Sequence, residues 1–154
     1  MRIGFGYDIH RFVKGKPLVL GGVNIPSGQG MLAHSDGDVL LHAVCDSLLG
    51  AAGLGDIGKH FPPGDKKFKN ISSLTLLEAV YAMLKKSGYK IINIDTMIVA
   101  KRPKIAPYAE KMKKAISKVV KTKNVSIKAT TNEGVGDIGR GKAICAYAVC
   151  LIEK

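Results

Sequence analysis

The segment from Asp38 to Ala52 constrains the fold of this chain more than any other part of the sequence. Its residues are apolar on almost every side of a helix, and a helix that is apolar nearly all round is buried. One polar stripe interrupts it, because Asp38, His42 and Asp46 follow one another at i, i+4 and i+8. Polar groups in a buried helix need partners, since their desolvation is costly. The stripe therefore predicts either a metal site or a set of mutually satisfied polar side chains.

A second polar pair, Asp8 and His10, lies in the stretch GYDIH near the start of the chain. Met1 to Tyr7 alternates in polarity and predicts a strand, and residues two apart on a strand leave the same face. By itself this pair is typical of a polar strand edge. Two imidazoles and one carboxylate are also a familiar catalytic zinc set, in which the remaining carboxylates could orient the ligating histidine. A protease of the HExxH type is excluded, because the motif is absent.

The predicted elements indicate an α+β fold, with helices packed on one face of a mixed β-sheet in a single domain over residues 1–154. Strands and helices do not alternate as they do in a doubly wound nucleotide-binding fold. The predicted strands are 1–7, 89–100, 125–129 and 143–152, with a hairpin over 18–25 that turns at Gly21 and Gly22. The predicted helices open at Ser35 and run to about Ala52, run from Ser72 or Ser73 to Gly88, and begin at Pro107.

The charge balance indicates an anionic partner. The chain has 24 Lys and Arg against 12 Asp and Glu, a net charge of +12. Nucleic acid is disfavoured, because Trp is absent, aromatic residues are few and no RNA-recognition or zinc-finger signature occurs. Many of the cations lie between Lys111 and Lys123, which we interpret as a solvated helix face. A phosphorylated small molecule therefore fits better than nucleic acid.

The chain shows no sign of a membrane or an oxidising compartment. No apolar run reaches the roughly 18 residues of a membrane span, and the N-terminus has no signal-peptide pattern. Cys45, Cys145 and Cys150 are an odd number without metal-type spacing, and we interpret them as buried thiols. These features predict a cytoplasmic protein.

Two further stretches could contact phosphate. The loop ATTNEGVGDIGRG, 129–141, combines glycines that permit backbone amides to approach an anion with Glu133, which could hold a divalent ion. It lacks the Walker pattern, so it is not a P-loop, and an ordinary hairpin loop explains it equally well. The stretch AKRPK, 100–104, carries three cations at a predicted strand end, where a plain basic turn is the alternative.

The blocks GYDIH, HSDGDVLLHA, GDIGKHFP and ATTNEGVGDIGRG, in this order and spacing, resemble the 2-C-methyl-D-erythritol 2,4-cyclodiphosphate synthases of non-mevalonate isoprenoid synthesis. The resemblance covers essentially the whole chain. It implies an enzyme that closes a cyclic diphosphate from a cytidine diphosphate ester of methylerythritol 2-phosphate and releases CMP. It also implies a homotrimer with each active site between subunits.

The resemblance implies two metal ions and a set of substrate contacts. Zn²⁺ would be held by Asp8, His10 and His42, and Mg²⁺ or Mn²⁺ by Glu133. His34 and Thr131 would be catalytic. Thr131 would steady the transition-state phosphates, and His34, with Ser35, would hold the methylerythritol phosphate end. The implied substrate contacts are Asp8, His10, His34, Ser35, Asp56, Ile57, Gly58, Phe61, Asp65, Thr130, Thr131, Asn132, Glu133, Asp137 and Arg140, with a cytidine pocket formed by Ala100, Lys101, Arg102, Pro103, Lys104, Ile105 and Ala106.

The chain departs from the family pattern at two places. The usual FPDTD reads FPPGD here, so Pro63 and Gly64 replace residues with longer side chains while Asp65 is retained. A glutamate that often pairs near the trimer axis with the arginine matching Arg140 is replaced by Tyr147. Two other functions are compatible with the residues: a basic, metal-stabilised nucleic-acid-binding module, and a zinc hydrolase that releases a linear bisphosphate.

Overall fold

A mixed sheet forms the centre of the computed structural model, which describes residues 1–154. Its strands are β1 (Arg2–Lys14), β4 (Gln29–Met31), β5 (Lys90–Val99), β6 (Val125–Thr130) and β7 (Ala143–Glu153), while β2 (Leu18–Leu20) and β3 (Val23–Ile25) form a separate hairpin. The five strands lie in the order β4-β1-β7-β5-β6. Only β5 and β6 are parallel, and the other neighbours are antiparallel.

The long helices cover one face of this sheet. The helices are α1 (Val39–Ala52), α2 (Ile57–His60), α3 (Ser73–Lys86), α4 (Ala109–Val120) and α5 (Gly136–Gly139), with single 3₁₀ turns at Lys66–Phe68 and Ala106–Tyr108. Helix α1 packs on β1 and β7, α3 packs on α1, and α4 packs on α3 and β6. The predicted α+β fold, a mixed sheet with helices on one face, is confirmed. None of these helices has the length and apolarity that crossing a membrane requires.

Local patterns located the long elements and missed several short ones. Strand β1 extends to Lys14 beyond the predicted end at Tyr7, and α4 begins at Ala109, after a 3₁₀ turn at the predicted start Pro107. Strand β4 and the short helices α2 and α5 were not predicted. Helix α1 begins after Asp38 and not at Ser35. The three cysteines are buried and unpaired, as predicted.

Asp38 ties the N-terminus of α1 to the β2–β3 hairpin. Its carboxylate accepts hydrogen bonds from the backbone N–H groups of Gly21 at 2.9 Å, Gly22 at 2.7 Å and Leu41 at 3.0 Å. Both glycines have positive φ, which a tight hairpin turn requires. Complete burial raises the pKa of Asp38 to about 6, against the opposing effect of these three donors. Asp38 is therefore a structural cap and not a member of the polar stripe at the site.

Helix α1 approaches β1 more closely than side chains would normally permit. A Cβ atom on Gly6 would lie 1.9 Å from the carbonyl oxygen of Ala43, and one on Gly4 would lie 1.8 Å from that of Ser47. Glycine at these two positions lets the helix backbone rest directly on the strand. Asp8 and His10 follow on the same face of β1, so they lie beside the helix residue His42.

We predict that Gly6→Ala lowers the free energy of unfolding by about 3 kcal/mol, because backbone atoms must move apart to admit the methyl group. The matched control is Gly28→Ala, where an added Cβ meets nothing within 4 Å and φ is not positive. Chemical denaturation of both variants measures the difference. Equal stability of Gly6→Ala and wild type would contradict the close approach.

Candidate metal centre

Asp8, His10 and His42 form one cluster where β1 meets α1. One ligand atom from each residue lies within 4.8 Å of the other two. Asp8 Oδ2 is 2.8 Å from His42 Nδ1 and 3.2 Å from His10 Nε2. The two imidazole rings stand nearly perpendicular, with centroids 5.6 Å apart. The strand pair and the helix histidine therefore converge on one point, as the resemblance implied.

The donor atoms of this cluster fit a metal ion. His10 Nε2 is buried, and its 3.2 Å approach to Asp8 Oδ2 lacks the geometry of a hydrogen bond, so it has no hydrogen-bond partner. This is rare for a buried polar atom unless something else satisfies it. Burial lowers the pKa of His10, and the neighbouring His42 lowers it further against the opposing charge of Asp8. A neutral imidazole offers a lone pair to a metal. Two ring nitrogens and one carboxylate oxygen match the ligands that catalytic zinc sites use, with a fourth position left open.

The second nitrogen of His42 is held by groups that sequence analysis did not identify. Nε2 lies 3.0 Å from Ser73 Oγ and 3.1 Å from Ser35 Oγ. Ser73 Oγ in turn donates to Asp36 Oδ1. Ser73 and Asp36 are 37 residues apart in sequence, and no periodic pattern links a helix-start serine to a loop aspartate. Only the packing of α3 against the loop before α1 brings them to the histidine.

The expectation that the remaining carboxylates of the helix stripe orient His42 was wrong. Asp38 caps the helix and binds the hairpin, as described above. Asp46 Oδ1 accepts a hydrogen bond from the backbone N–H of Ile57 at 2.7 Å, so it fixes the start of α2. Burial raises the pKa of Asp46. Both carboxylates were placed correctly on or beside the helix, but their partners are backbone amides.

A cavity of about 240 Å³ opens beside the Asp8–His10–His42 cluster. Half of its lining residues are hydrophobic, so it suits a small molecule with a carbon skeleton and a few polar groups. His34 reaches the backbone carbonyl of Asp65 at 3.4 Å across this region. The cavity is lined by His10, Ala33, His34, Ser35, His42, Ile57, Gly58, Phe61, Pro63, Phe68, Ile71 and Leu76.

The remaining predicted site residues are not brought to this cavity within one chain. Asp56 is exposed and caps α2, accepting from Lys59 N at 2.9 Å. Residues 100–106 and 130–140 follow β5 and β6. Strand β6 is three strand intervals from β1, about 14 Å at the usual spacing. Glu133 contacts Thr131 Oγ1 at 2.5 Å and is not part of the Asp8–His10–His42 cluster.

The predicted basic turn lines a separate, strongly cationic pocket. Its volume is about 670 Å³, and Lys14 of β1 joins Lys101, Arg102 and Lys104 in its wall. Arg140, at the far side of the glycine-rich loop, pairs with Asp137 at 2.9 Å. Tyr147 stacks near Tyr7 on the outer face of the sheet, with ring centroids 5.0 Å apart. Two separate pockets thus lie at the predicted site residues, one at the Asp8–His10–His42 cluster and one at the basic turn.

Comparison with known proteins agrees with this architecture. The sequence profile of the YgbB family matches residues 1–153. The chain is 56% identical to the 2-C-methyl-D-erythritol 2,4-cyclodiphosphate synthase of Clostridium botulinum over 99% of this chain and 100% of that protein. It is 53% identical to the synthase of the same name from Syntrophomonas wolfei, over 100% and 99% of the two chains. The solved structure of Plasmodium falciparum IspF in complex with CDP superposes with a TM-score of 0.85 at 38% identity, over 98% of this chain and 94% of that one.

We predict that zinc binds more tightly as pH rises above the ordinary histidine pKa. Burial lowers the pKa of His42, but the hydrogen bond and charge of Asp8 outweigh burial and raise it above 6.5. A metal must displace this proton, so affinity should increase about tenfold per pH unit while His42 is protonated and then level off. Chelator competition at a series of pH values measures the profile. A profile that is flat from about pH 6 to about pH 8 would contradict it.

Proposed function

The chain belongs to the YgbB family and is a lyase of the 2-C-methyl-D-erythritol 2,4-cyclodiphosphate synthase type, and on that premise we propose its reaction. It converts 4-diphosphocytidyl-2-C-methyl-D-erythritol 2-phosphate into the 2,4-cyclodiphosphate and CMP. An oxygen of the 2-phosphate attacks the β-phosphorus. The bond from that phosphorus to the oxygen bridging it to the α-phosphorus breaks, and CMP leaves with the electron pair. Membership in this family places the chain in isoprenoid precursor biosynthesis.

The observation that carries this proposal is the cluster of Asp8, His10 and His42 at the mouth of the half-apolar cavity. These three residues would hold Zn²⁺, which when bound supplies a Lewis acid for a phosphate oxygen. The protein needs no covalent nucleophile for this reaction, because the attacking group belongs to the substrate. Its task is to fold the substrate back on itself and to offset the repulsion between phosphates.

The cavity is the proposed site for the methylerythritol phosphate. His34 and Ser35 at its wall would hold the 2-phosphate, and the start of α2 at Asp56, Ile57 and Gly58 would hold the hydroxyls. Phe61 to Asp65 would close the open side. The carbonyl of Asp65 already lies 3.4 Å from His34 Nε2, so this loop is close enough to reach a molecule held by His34.

The second half of the substrate would be bound by the loops that follow β5 and β6. Residues 100–106 would hold cytosine and ribose. Thr131, with Thr130 and Asn132, would steady the phosphates. Glu133 would hold Mg²⁺ or Mn²⁺, which would offset phosphate charge, and Asp137 and Arg140 would complete this side. The IspF relative in complex with CDP supports recognition of a cytidine diphosphate by this fold.

We propose that the two halves meet between subunits of a homotrimer. In one chain the loop after β6 lies three strand intervals from β1, about 14 Å, which one diphosphate does not bridge directly. The uncovered face of the sheet supplies a contact surface, because apolar side chains of the neighbouring strands β1 and β7 lie side by side on it. The exposed fractions are 73% for Ile3, 62% for Phe5, 42% for Tyr7, 41% for Ile9, 39% for Tyr147 and 43% for Val149. A patch of this kind marks an interface.

We predict that the protein, with Zn²⁺ and Mg²⁺, converts the cytidine diphosphate substrate to a cyclic diphosphate and CMP. Phosphorus NMR distinguishes the coupled resonances of the cyclic product from those of a linear bisphosphate. His42→Ala removes a metal ligand and should reduce CMP release at least 100-fold, whereas Ala82→Glu on the exposed side of α3 should leave it unchanged. A linear product would instead identify a hydrolase, and full activity of His42→Ala would contradict the metal centre.

We predict that Phe5→Glu dissociates the assembly, because a charge would be buried in an apolar contact. Light scattering coupled to size exclusion should report the mass of three chains for wild type and a smaller mass for the variant. Ala82→Glu introduces the same side chain on an exposed helix and is the control. A wild-type mass of one chain would overturn the homotrimer while leaving the family membership intact.

A further inference from the structure

Ser73 is the one fully buried polar residue in contact with the candidate metal centre. It is the first residue of α3, and its side chain is completely shielded from solvent. Its Oγ lies 3.0 Å from His42 Nε2, and its hydroxyl donates a hydrogen bond to Asp36 Oδ1. Asp36 Oδ2 also accepts the backbone N–H of Ser73 at 2.8 Å. Because the only hydroxyl proton is committed to a carboxylate, Ser73 can offer His42 only a lone pair.

Ser35 makes a different kind of contact with the same nitrogen. Its Oγ, 3.1 Å from His42 Nε2, accepts from the backbone N–H of Gly37, and no carboxylate fixes its proton. Ser35 can therefore donate or accept. It also faces the cavity, where the proposed function assigns it to a substrate phosphate. Ser73 is the partner that stays with the histidine when the cavity is filled.

We propose that Asp36 and Ser73 act as a positioning pair that keeps the proton of neutral His42 on Nε2. With the proton there, the Nδ1 lone pair faces Asp8 and His10, where a metal ion can take it. Asp8 Oδ2, 2.8 Å from Nδ1, attracts a proton to the metal-binding nitrogen, and the pair counteracts this from the opposite side of the ring. This inference rests on the proposed metal centre and adds two residues that act through His42 without touching the metal or substrate.

The pair also joins two segments of the fold. Asp36 accepts a hydrogen bond from the backbone N–H of Ser73, the first residue of α3, while the side chain of Ser72, at the N-cap position, makes no capping hydrogen bond. Removing either member therefore loosens the loop as well as the histidine. The test needs a measurement that responds to the state of the imidazole and not only to stability.

The experiment compares wild type, Ser73→Ala, Asp36→Asn and Ser72→Ala. Zinc affinity is measured by competition with a chelator, and long-range ¹H–¹⁵N spectra of the zinc-loaded protein report the His42 tautomer and its Nε2–H resonance. Ser73→Ala should weaken zinc binding about tenfold and shift the Nε2–H resonance, because its acceptor is gone. Asp36→Asn should move both quantities in the same direction. The neighbouring, exposed Ser72→Ala should match wild type.

The positioning pair is overturned if Ser73→Ala binds zinc as wild type does, or if affinity falls while the Nε2–H resonance stays unchanged, which indicates a structural effect alone. Should Ser73→Ala not fold, Asp36→Asn decides by the same two measurements. Failure of the metal centre itself looks different, since the wild-type histidine resonances would then not respond to zinc. Normal wild-type binding and turnover with an unaffected Ser73→Ala would remove only the pairing of Asp36 and Ser73.

Discussion

The direct contact between the backbone of α1 and the glycines of β1 determines the rest of this structure. Gly4 and Gly6 leave no side chain between strand and helix, so carbonyl oxygens of α1 lie where Cβ atoms would otherwise be. At this separation a histidine on the helix reaches a carboxylate on the strand at 2.8 Å. A larger residue at either glycine would separate the two elements by more than a hydrogen bond tolerates. The metal cluster is thus a consequence of how tightly one helix packs, and not only of which ligands are present.

The loop from His34 to Asp38 is likewise fixed by contacts to backbone atoms, through hydrogen bonds from backbone N–H groups to its two aspartates. The carboxylate of Asp38 accepts hydrogen bonds from three backbone N–H groups of the hairpin and of α1. The carboxylate of Asp36 accepts one from the backbone N–H of the first residue of α3. His34 and Ser35, between these anchors and the strand β4, face the cavity. The buried carboxylate of Asp38 and the half-buried carboxylate of Asp36 are held in place, because each lost hydrogen bond leaves an unsatisfied group. The two aspartates therefore hold the cavity wall in place while the side chains before them remain available to a ligand.

Sequence periodicity was sufficient for the long elements and the family resemblance for the three candidate ligands, but neither was sufficient for the surroundings of those ligands. The apolar α1, the Gly21–Gly22 hairpin and the solvated lysine face of α4 follow from local patterns that tertiary structure did not override. Asp8, His10 and His42 were recognisable because resemblance linked a strand motif to a helix motif. Ser73 was not, since a serine that begins a helix is ordinary until another segment packs on it. The same reason explains why Asp38 and Asp46 were assigned to the histidine when backbone amides are their partners.

The outward face of the sheet connects the packing of α1 to the need for a second chain. Side chains alternate between the faces of a strand, so with Gly4 and Gly6 facing the helices the apolar side chains Ile3, Phe5 and Tyr7 all point away from them. The tight helix contact that builds the metal cluster thereby leaves an apolar surface without a cover. The loops after β5 and β6, for which we propose phosphate binding, follow strands that lie two and three positions from β1 in the sheet. An assembly that buries the apolar face can also supply a neighbour's loops to each cavity. The alternation of glycines with apolar residues along β1 therefore favours both the candidate metal site and the association that would complete it.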